Sequence, residues 1–175
     1  MNTATQNLEN DHVHILRLTD IMLEMVEQKC TETDHFELVV NLIRKFADGL
    51  HHAKEEELLF PLLGEKGFSP EQGPVAVMLM EHVQGRNFVK GISDGIVELK
   101  KGKSGAIQLV YENLSGYAIL LQNHISKENN ILFRMADRTH PTRPVLPQSF
   151  FVDKLRQQIF DFRSFGVVDI IDDVA

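Results

Sequence analysis

Apolar residues over the first 138 positions recur at spacings of three and four. Nowhere do they alternate with polar residues for long enough to make a strand, so the pattern predicts an almost wholly helical chain. A first helix is expected from about Thr5 to Lys29. A second opens at Asp34, with Glu37 completing a capping box, and ends near Leu63 before Gly64 and Gly67. A third follows Ser69, with Pro70 at its first position, and ends near Lys100 before Gly102. A fourth runs from about Ser104 to Arg138. Short connections make neighbouring helices antiparallel, so the expected fold is all-α: an up-down-up-down four-helix bundle over residues 1–138. A C-terminal extension over residues 139–175 begins with a linker containing Pro141, Pro144 and Pro147. It continues into a short helix from about Phe150 to Phe162, rich in Phe and Leu, with Ser149 as its cap.

Polar residues that interrupt the apolar stripes carry the chemistry. The second helix holds HHAKEEELLFP, in which His51 pairs with Glu55 and His52 with Glu56 at a spacing of four. Steps of three and four from His51 pass through Val40, Ile43, Ala47, Leu58 and Leu62, whereas steps from His52 pass through Asn41, Lys45 and Asp48. At the α-helical period this turns His51 and Glu55 inward and leaves His52 and Glu56 on the surface. The fourth helix repeats the pairing with His124 and Glu128, on a stripe with Tyr117, Leu120, Leu121, Ile131, Leu132 and Met135. His12 shares a face with Leu8, Ile15 and Leu23, and His82 with Val75, Met78, Leu79 and Val89. His14 lies with Asn7, Asn10 and Arg17 and is the poorer candidate. Counted from the expected helix ends, His12, His51, His82 and His124 fall at matching heights, within roughly 3 Å of rise.

Composition narrows the class. Lys and Arg total 18 against 25 Asp and Glu, a net charge of −7, which argues against a nucleic-acid or anionic-membrane partner. A single cysteine, Cys30, leaves no internal disulfide and no thiolate-rich metal site. The first residues lack the basic start and apolar stretch of a signal peptide, and no apolar run is long enough to span a bilayer, so a soluble cytoplasmic protein is expected.

A lone buried histidine is more often a hydrogen-bonded core residue than a ligand, and a lone His/Glu pair is often a solvated helix pair. Here the pair occurs twice on apolar stripes, with two further histidines at the same level. Buried carboxylates without partners are heavily penalised, so two in one core call for cations. Four imidazoles and two carboxylates exceed the needs of one tetrahedral ion. They suit two metals with Glu55 and Glu128 bridging, and ligation by nitrogen and oxygen without thiolate suits iron or manganese better than structural zinc.

These segments resemble the bacterial hemerythrin-like proteins with the HHE cation-binding domain. The carrying motifs are NDHVHI around His12, HHAKEEELLFP around His51 and Glu55, EHVQGR around His82, and HISKENNILF around His124 and Glu128. The resemblance covers about Thr5 to Arg138. It implies a four-helix bundle with two iron ions in an oxo- or hydroxo-bridged centre, open to manganese or zinc substitution. His12, His51, Glu55, His82, His124 and Glu128 fall on the ligand positions. Oxygen-carrying members have another histidine four residues after the third-helix ligand, where this chain has Arg86. Their last carboxylate comes five residues after the fourth-helix histidine, where this chain has Asn129, with Glu128 serving instead. By this reading one protein ligand is missing and each iron has two imidazoles. That disfavours simple oxygen carriage and favours reaction with oxygen, peroxide or nitric oxide. The alternative is a non-catalytic iron or oxygen sensor, or an iron storage or donor module. Ferritin-like sites, with Glu-x-x-His on two helices, fit less well, because Glu32/His35 lies at a helix start away from Glu9/His12.

Two residues are candidates for the surroundings of the centre. Tyr117 lies two turns before His124 and could bond a metal-bound ligand, although a core tyrosine bonded to protein or water is the blander expectation. Arg86 could gate access or hold an anion, against the simpler expectation that it reaches to the surface. The Phe-rich tail, with Phe150, Phe151, Phe160, Phe162 and Phe165, is expected to cover the bundle, pair with a second copy or meet a partner.

Overall fold

A computed structural model describes residues 4–139, all-helical among the described residues, as a bundle of four long helical segments. Helix α1 is Ala4–Glu27. Helix α2 covers residues 33–64, built from Thr33–Leu42, Ile43–His52, Glu55–Leu59 and Phe60–Gly64. Helix α3 is Pro74–Lys100, and α4 covers residues 106–139, from Ala106–Lys127 through Glu128–Leu132 to Phe133–Thr139. The linker and Phe-rich helix expected over residues 139–175 lie outside the described residues, Thr139 apart. No described helix is long and apolar enough to cross a membrane.

Several helix ends depart from the sequence expectation for local reasons. Helix α3 begins at Pro74 rather than Pro70, because Gly73 takes a φ of 79° that only glycine adopts readily, and Pro74 then opens the helix. Ser69 forms a local turn instead, accepting from the Glu71 N–H at 3.0 Å. The Asp34–Glu37 capping box does not form. Glu32 is the N-cap residue, and Glu37 pairs with Lys100 across the bundle at 2.7 Å. Helix α4 begins at Ala106, after Gly105 in the left-handed region.

The larger departure is a change of helical phase. Helices α2 and α4 contain wide π turns, in which an N–H reaches the carbonyl five residues back: Ala53 to Asp48, Phe60 to Glu55 and Phe133 to Glu128. Each wide turn advances the inward stripe by part of a residue. The expected stripe residues Leu62 and Ile131 are therefore exposed, at 40% and 51%, while Leu59, Phe60, Leu63, Leu132 and Phe133 are buried. A Cβ at position 49 would stand 2.7 Å from the Arg44 carbonyl, so glycine is the residue that lets the turn close there.

Two apolar layers hold the helices together. One includes Ile15, Met22, Phe36, Ile43, Ile92, Leu114 and Ile125; the other includes Leu8, Leu63, Val75, Leu132 and Phe133. Along every helix the polar residues singled out above fall between these layers: His12 between Leu8 and Ile15, and His124 between Leu121 and Leu132. Helices α3 and α4 approach most closely. A Cβ at Gly95 would lie 2.7 Å from Val110, and one at Gly116 would lie 2.4 Å from the Phe88 ring. That close approach sets the heights of His82 and His124 against each other.

Candidate metal centre

Five imidazoles and two carboxylates meet between the apolar layers, all buried: His12 from α1, His51, His52 and Glu55 from α2, His82 from α3, and His124 and Glu128 from α4. They form two groups that share Glu55. His12, His51, Glu55 and Glu128 make one, and His52, Glu55, His82 and His124 the other. Within each group the candidate ligand atoms lie within 4.8 Å of one another, a spacing that could hold a metal ion.

The carboxylates face both ways. Glu128 points Oε2 at His12 Nε2 and Oε1 at His124 Nε2, each at 3.2 Å. Glu55 points Oε1 at His51 Nε2, 3.7 Å away, and Oε2 at His82 Nε2, 3.4 Å away. The Nε2 atoms of His12 and His51 face each other at 3.1 Å, and those of His82 and His124 at 3.2 Å.

A second layer fixes how each ring is turned. His12 Nδ1 donates to Asn129 Oδ1 at 2.7 Å, His51 Nδ1 to Asp11 Oδ2 at 3.3 Å and His52 Nδ1 to Asp48 Oδ1 at 3.3 Å. His82 Nδ1 donates to Glu56 Oε1 at 2.7 Å, and His124 Nδ1 to Glu81 Oε2 at 2.9 Å. These oxygens accept, so each Nδ1 carries a proton and each Nε2 is turned to the middle. This is the usual way a protein orients imidazole ligands. The carboxylates are in turn held by cations: Asp11 by the buried Lys54 at 2.6 Å, Glu81 by Lys127, and both Asp48 and Glu56 by Arg86, at 2.7 and 2.8 Å.

The residues fit a pair of cations and fit a closed polar core poorly. Both oxygens of Glu55, both of Glu128 and Nε2 of His52 are buried without a hydrogen-bond partner. Buried carboxylate oxygens left so are costly. A positive ion in each group would satisfy those oxygens. In the protein without metal, the proton balance shows the same demand. Burial, then the neighbouring Glu128, pushes the Glu55 carboxyl well above its ordinary range. Burial raises Glu128, but the charge of His124 and the close approach of the His12 and His124 rings outweigh it and hold the carboxyl well below that range. His124 is raised to about 9, since Glu128 and Glu81 overcome its burial. Burial holds His51 down to about 4 and lowers His52 and His82, the last also through the charges of His52 and His124.

All six residues expected to ligate are brought together, and His14 stays exposed. The expectation that His52 lies on the surface fails: only 3% of it is exposed. The π stretch Ile43–His52 turns both neighbouring histidines inward, where an α-helical period allows only one. The expectation of two imidazoles on each side fails with it, because the His52 group holds three. Glu56 is half-buried and orients His82 rather than facing water. Arg86 reaches the surface as expected, but carries the Asp48 and Glu56 carboxylates on its way. Three of the orienting groups, Asp11, Glu81 and Asn129, are not legible as such from the helical pattern. Their only sequence signal was adjacency, Asp11 before His12, Glu81 before His82 and Asn129 after Glu128.

The Hemerythrin HHE cation binding domain model matches residues 3–136. The chain belongs to this family. Among curated proteins, an iron-sulfur cluster repair protein YtfE of Pectobacterium atrosepticum is 34% identical over 91 residues, 50% of this chain and 41% of the relative. The YtfE of Yersinia pestis is 32% identical over the same 91-residue length and the same shares. The chain thus spans about two-fifths of the length of the curated relatives it matches. No solved structure matches it significantly. Membership gives the fold and cation binding. In this HHE domain the two His/Glu groups are where a cation can be held.

Proposed function

We propose that this protein is a non-haem di-iron protein that reacts with oxygen, peroxide or nitric oxide. His12 and His51 would hold one iron and His52, His82 and His124 the other, with Glu55 and Glu128 set between the two groups. The observation that carries the reading is the set of four unpartnered carboxylate oxygens facing inward-turned Nε2 atoms. Nitrogen and oxygen donors without thiolate favour iron or manganese, and carboxylate bridges stabilise higher oxidation states. Bound iron would supply the one-electron chemistry; the protein supplies fixed neutral imidazoles and two charges to balance the ions.

The division into three imidazoles and two makes the halves inequivalent. Counting the bridges, the His12/His51 side has fewer protein donors and is where an exogenous ligand would find room. Phe133 stacks on His12 with ring centroids 5.5 Å apart, giving that side an apolar wall.

The second reading is iron handling: storage, sensing or donation to a partner. It is favoured by the relatives, which are named iron-sulfur cluster repair proteins. The two readings part in one experiment. Protein purified from iron-supplemented cells is analysed for metal content and electronic spectrum, reduced without air, then exposed to oxygen, peroxide or nitric oxide. Repeated turnover with the iron retained supports the redox reading. Loss of iron to a chelator or an acceptor protein on oxidation, without turnover, supports iron handling. Absence of iron uptake overturns both.

A further inference from the structure

A pocket of about 120 Å³ opens between α2, α3 and α4 on the side of the three-imidazole group. It is bounded inside by His52 and His82, whose rings stack with centroids 3.8 Å apart. This is the opposite half of the centre from His12 and His51, where the proposed function leaves room for a ligand on the metal.

Two independent features make it a built site. The first is Tyr117, which is 2% exposed and lines the pocket, and whose hydroxyl has no hydrogen-bond partner. A buried hydroxyl left unmatched costs free energy, and burial raises this one far above the ordinary phenol range, so it stays a donor at any working pH. The second is charge. Arg44, Arg86 and Lys90 line the pocket; Arg86 is shared by Asp48 and Glu56, Lys90 pairs with Asp94 at 2.5 Å, and Arg44 forms no ion pair with any of these carboxylates. Asp48 is already occupied, accepting from His52 and paired with Arg86. Arg44 donates to the neutral Ser93 hydroxyl at 3.0 Å. A guanidinium bonded only to a neutral hydroxyl, above a buried donor, favours a small anion over a cation. Gly85 keeps the space open, since a Cβ there would meet the Tyr117 ring at 3.4 Å.

We propose that this pocket is a binding site for a small monovalent anion of a few atoms, held by the Tyr117 hydroxyl beneath the Arg44, Arg86 and Lys90 side chains, behind the His52/His82 stack. The pocket itself depends only on the helices. Its placing of an anion against a metal-bound histidine pair rests on the di-iron reading. An anion there sits behind the histidine rings and adds negative charge next to the three-imidazole side; with iron bound, that charge would favour the more oxidised form.

The chain has two tyrosines, Tyr111 and Tyr117, and no tryptophan, so each ring can be observed separately. Protein carrying 3-fluorotyrosine gives two fluorine resonances, assigned with Tyr117→Phe. Azide and nitrite are titrated into metal-free protein and into zinc-loaded protein, with metal content measured on the same samples. The Tyr117 resonance is expected to shift saturably in both, with Tyr111 unmoved. Affinity read by calorimetry should fall about tenfold in Tyr117→Phe, the loss of one hydrogen bond to a charged acceptor. It should fall several-fold in Gly85→Ala, where the added methyl takes up space in a helix it otherwise favours, and in Arg44→Gln/Lys90→Gln. Unchanged affinity in Tyr117→Phe and Gly85→Ala, or no saturable shift in metal-free protein, overturns the pocket. Saturable binding in protein that takes up no metal keeps the pocket and overturns the di-iron reading.

Discussion

His51 and His52 are adjacent in sequence yet face opposite halves of the centre. His51 Nε2 lies 3.1 Å from His12 Nε2, while the His52 ring stacks on His82 at 3.8 Å. A wide helical turn puts both side chains inside, and the two proposed metal positions take one each. His52→Ala should therefore lower metal content from about two ions per chain to about one, the spacing of the pair being that of a two-metal site. His14→Ala, on the exposed face, should leave it unchanged. Elemental analysis of the two variants checks this. Full loading of His52→Ala would mean that the second position does without this imidazole.

Glu55→Met should move stability in opposite directions with and without metal. In metal-free protein the substitution removes two buried unpartnered oxygens, so the melting temperature should hold or rise. With metal the variant should forgo the stabilisation that binding gives the parent, about 2.7 kcal/mol at a free concentration a hundredfold above Kd. Scanning calorimetry with and without added metal reads both signs. Glu57→Ala, on the exposed face, is the neutral comparison. A lower melting temperature for metal-free Glu55→Met would show that the carboxyl is satisfied.

Glu56→Ala should weaken metal binding about 10–100-fold without abolishing it, because Glu56 accepts from His82 Nδ1 at 2.7 Å and fixes that ring. Competition with a chromophoric chelator gives the affinity ratio. An unaltered affinity would reduce Glu56 to a partner of Arg86 alone.

Metal binding near pH 7 should release protons. Glu55 holds its proton because of burial and the nearby Glu128, and His124 stays charged up to about 9 because Glu128 and Glu81 outweigh its burial. Both must give up a proton before they coordinate, so affinity should rise with pH through the neutral range. The metal-free protein behaves inversely. The His124 shift contributes stability that is fully present below about 6.5, its unfolded value, and is lost as pH rises through about 9. The stabilisation given by metal should therefore grow across that window. Calorimetry in buffers of different ionisation enthalpy counts the protons, and no release would mean that the metal-free site is already deprotonated.

Leu132 and Ile131 test the change of helical phase. Ile131→Asp should cost under about 0.5 kcal/mol, as an exposed substitution does, whereas Leu132→Ala should cost about 2–5 kcal/mol. Urea unfolding of the two variants decides; the reverse order would restore an unbroken α-helical period.

Helical class, the number and order of the helices, and the level at which His12, His51, His82 and His124 meet are legible from residue order alone. Those follow from periodicity and from distances along straight helices, which local spacing encodes. The pairing of His51 with Glu55 and of His124 with Glu128 was legible too, because each pair breaks an apolar stripe. Tertiary structure decided the rest. Whether a helix is wound with bonds to the fourth or the fifth residue back depends on what the turn packs against, and residue spacing does not record it. That choice buried His52, exposed Ile131 and Leu62, and divided the imidazoles three against two. The orienting groups Asp11, Asp48, Glu56, Glu81 and Asn129 were equally illegible. With the exception of Asp48, which lies on the same helix as His52, each meets its histidine only across a helix interface, as Asn129 meets His12.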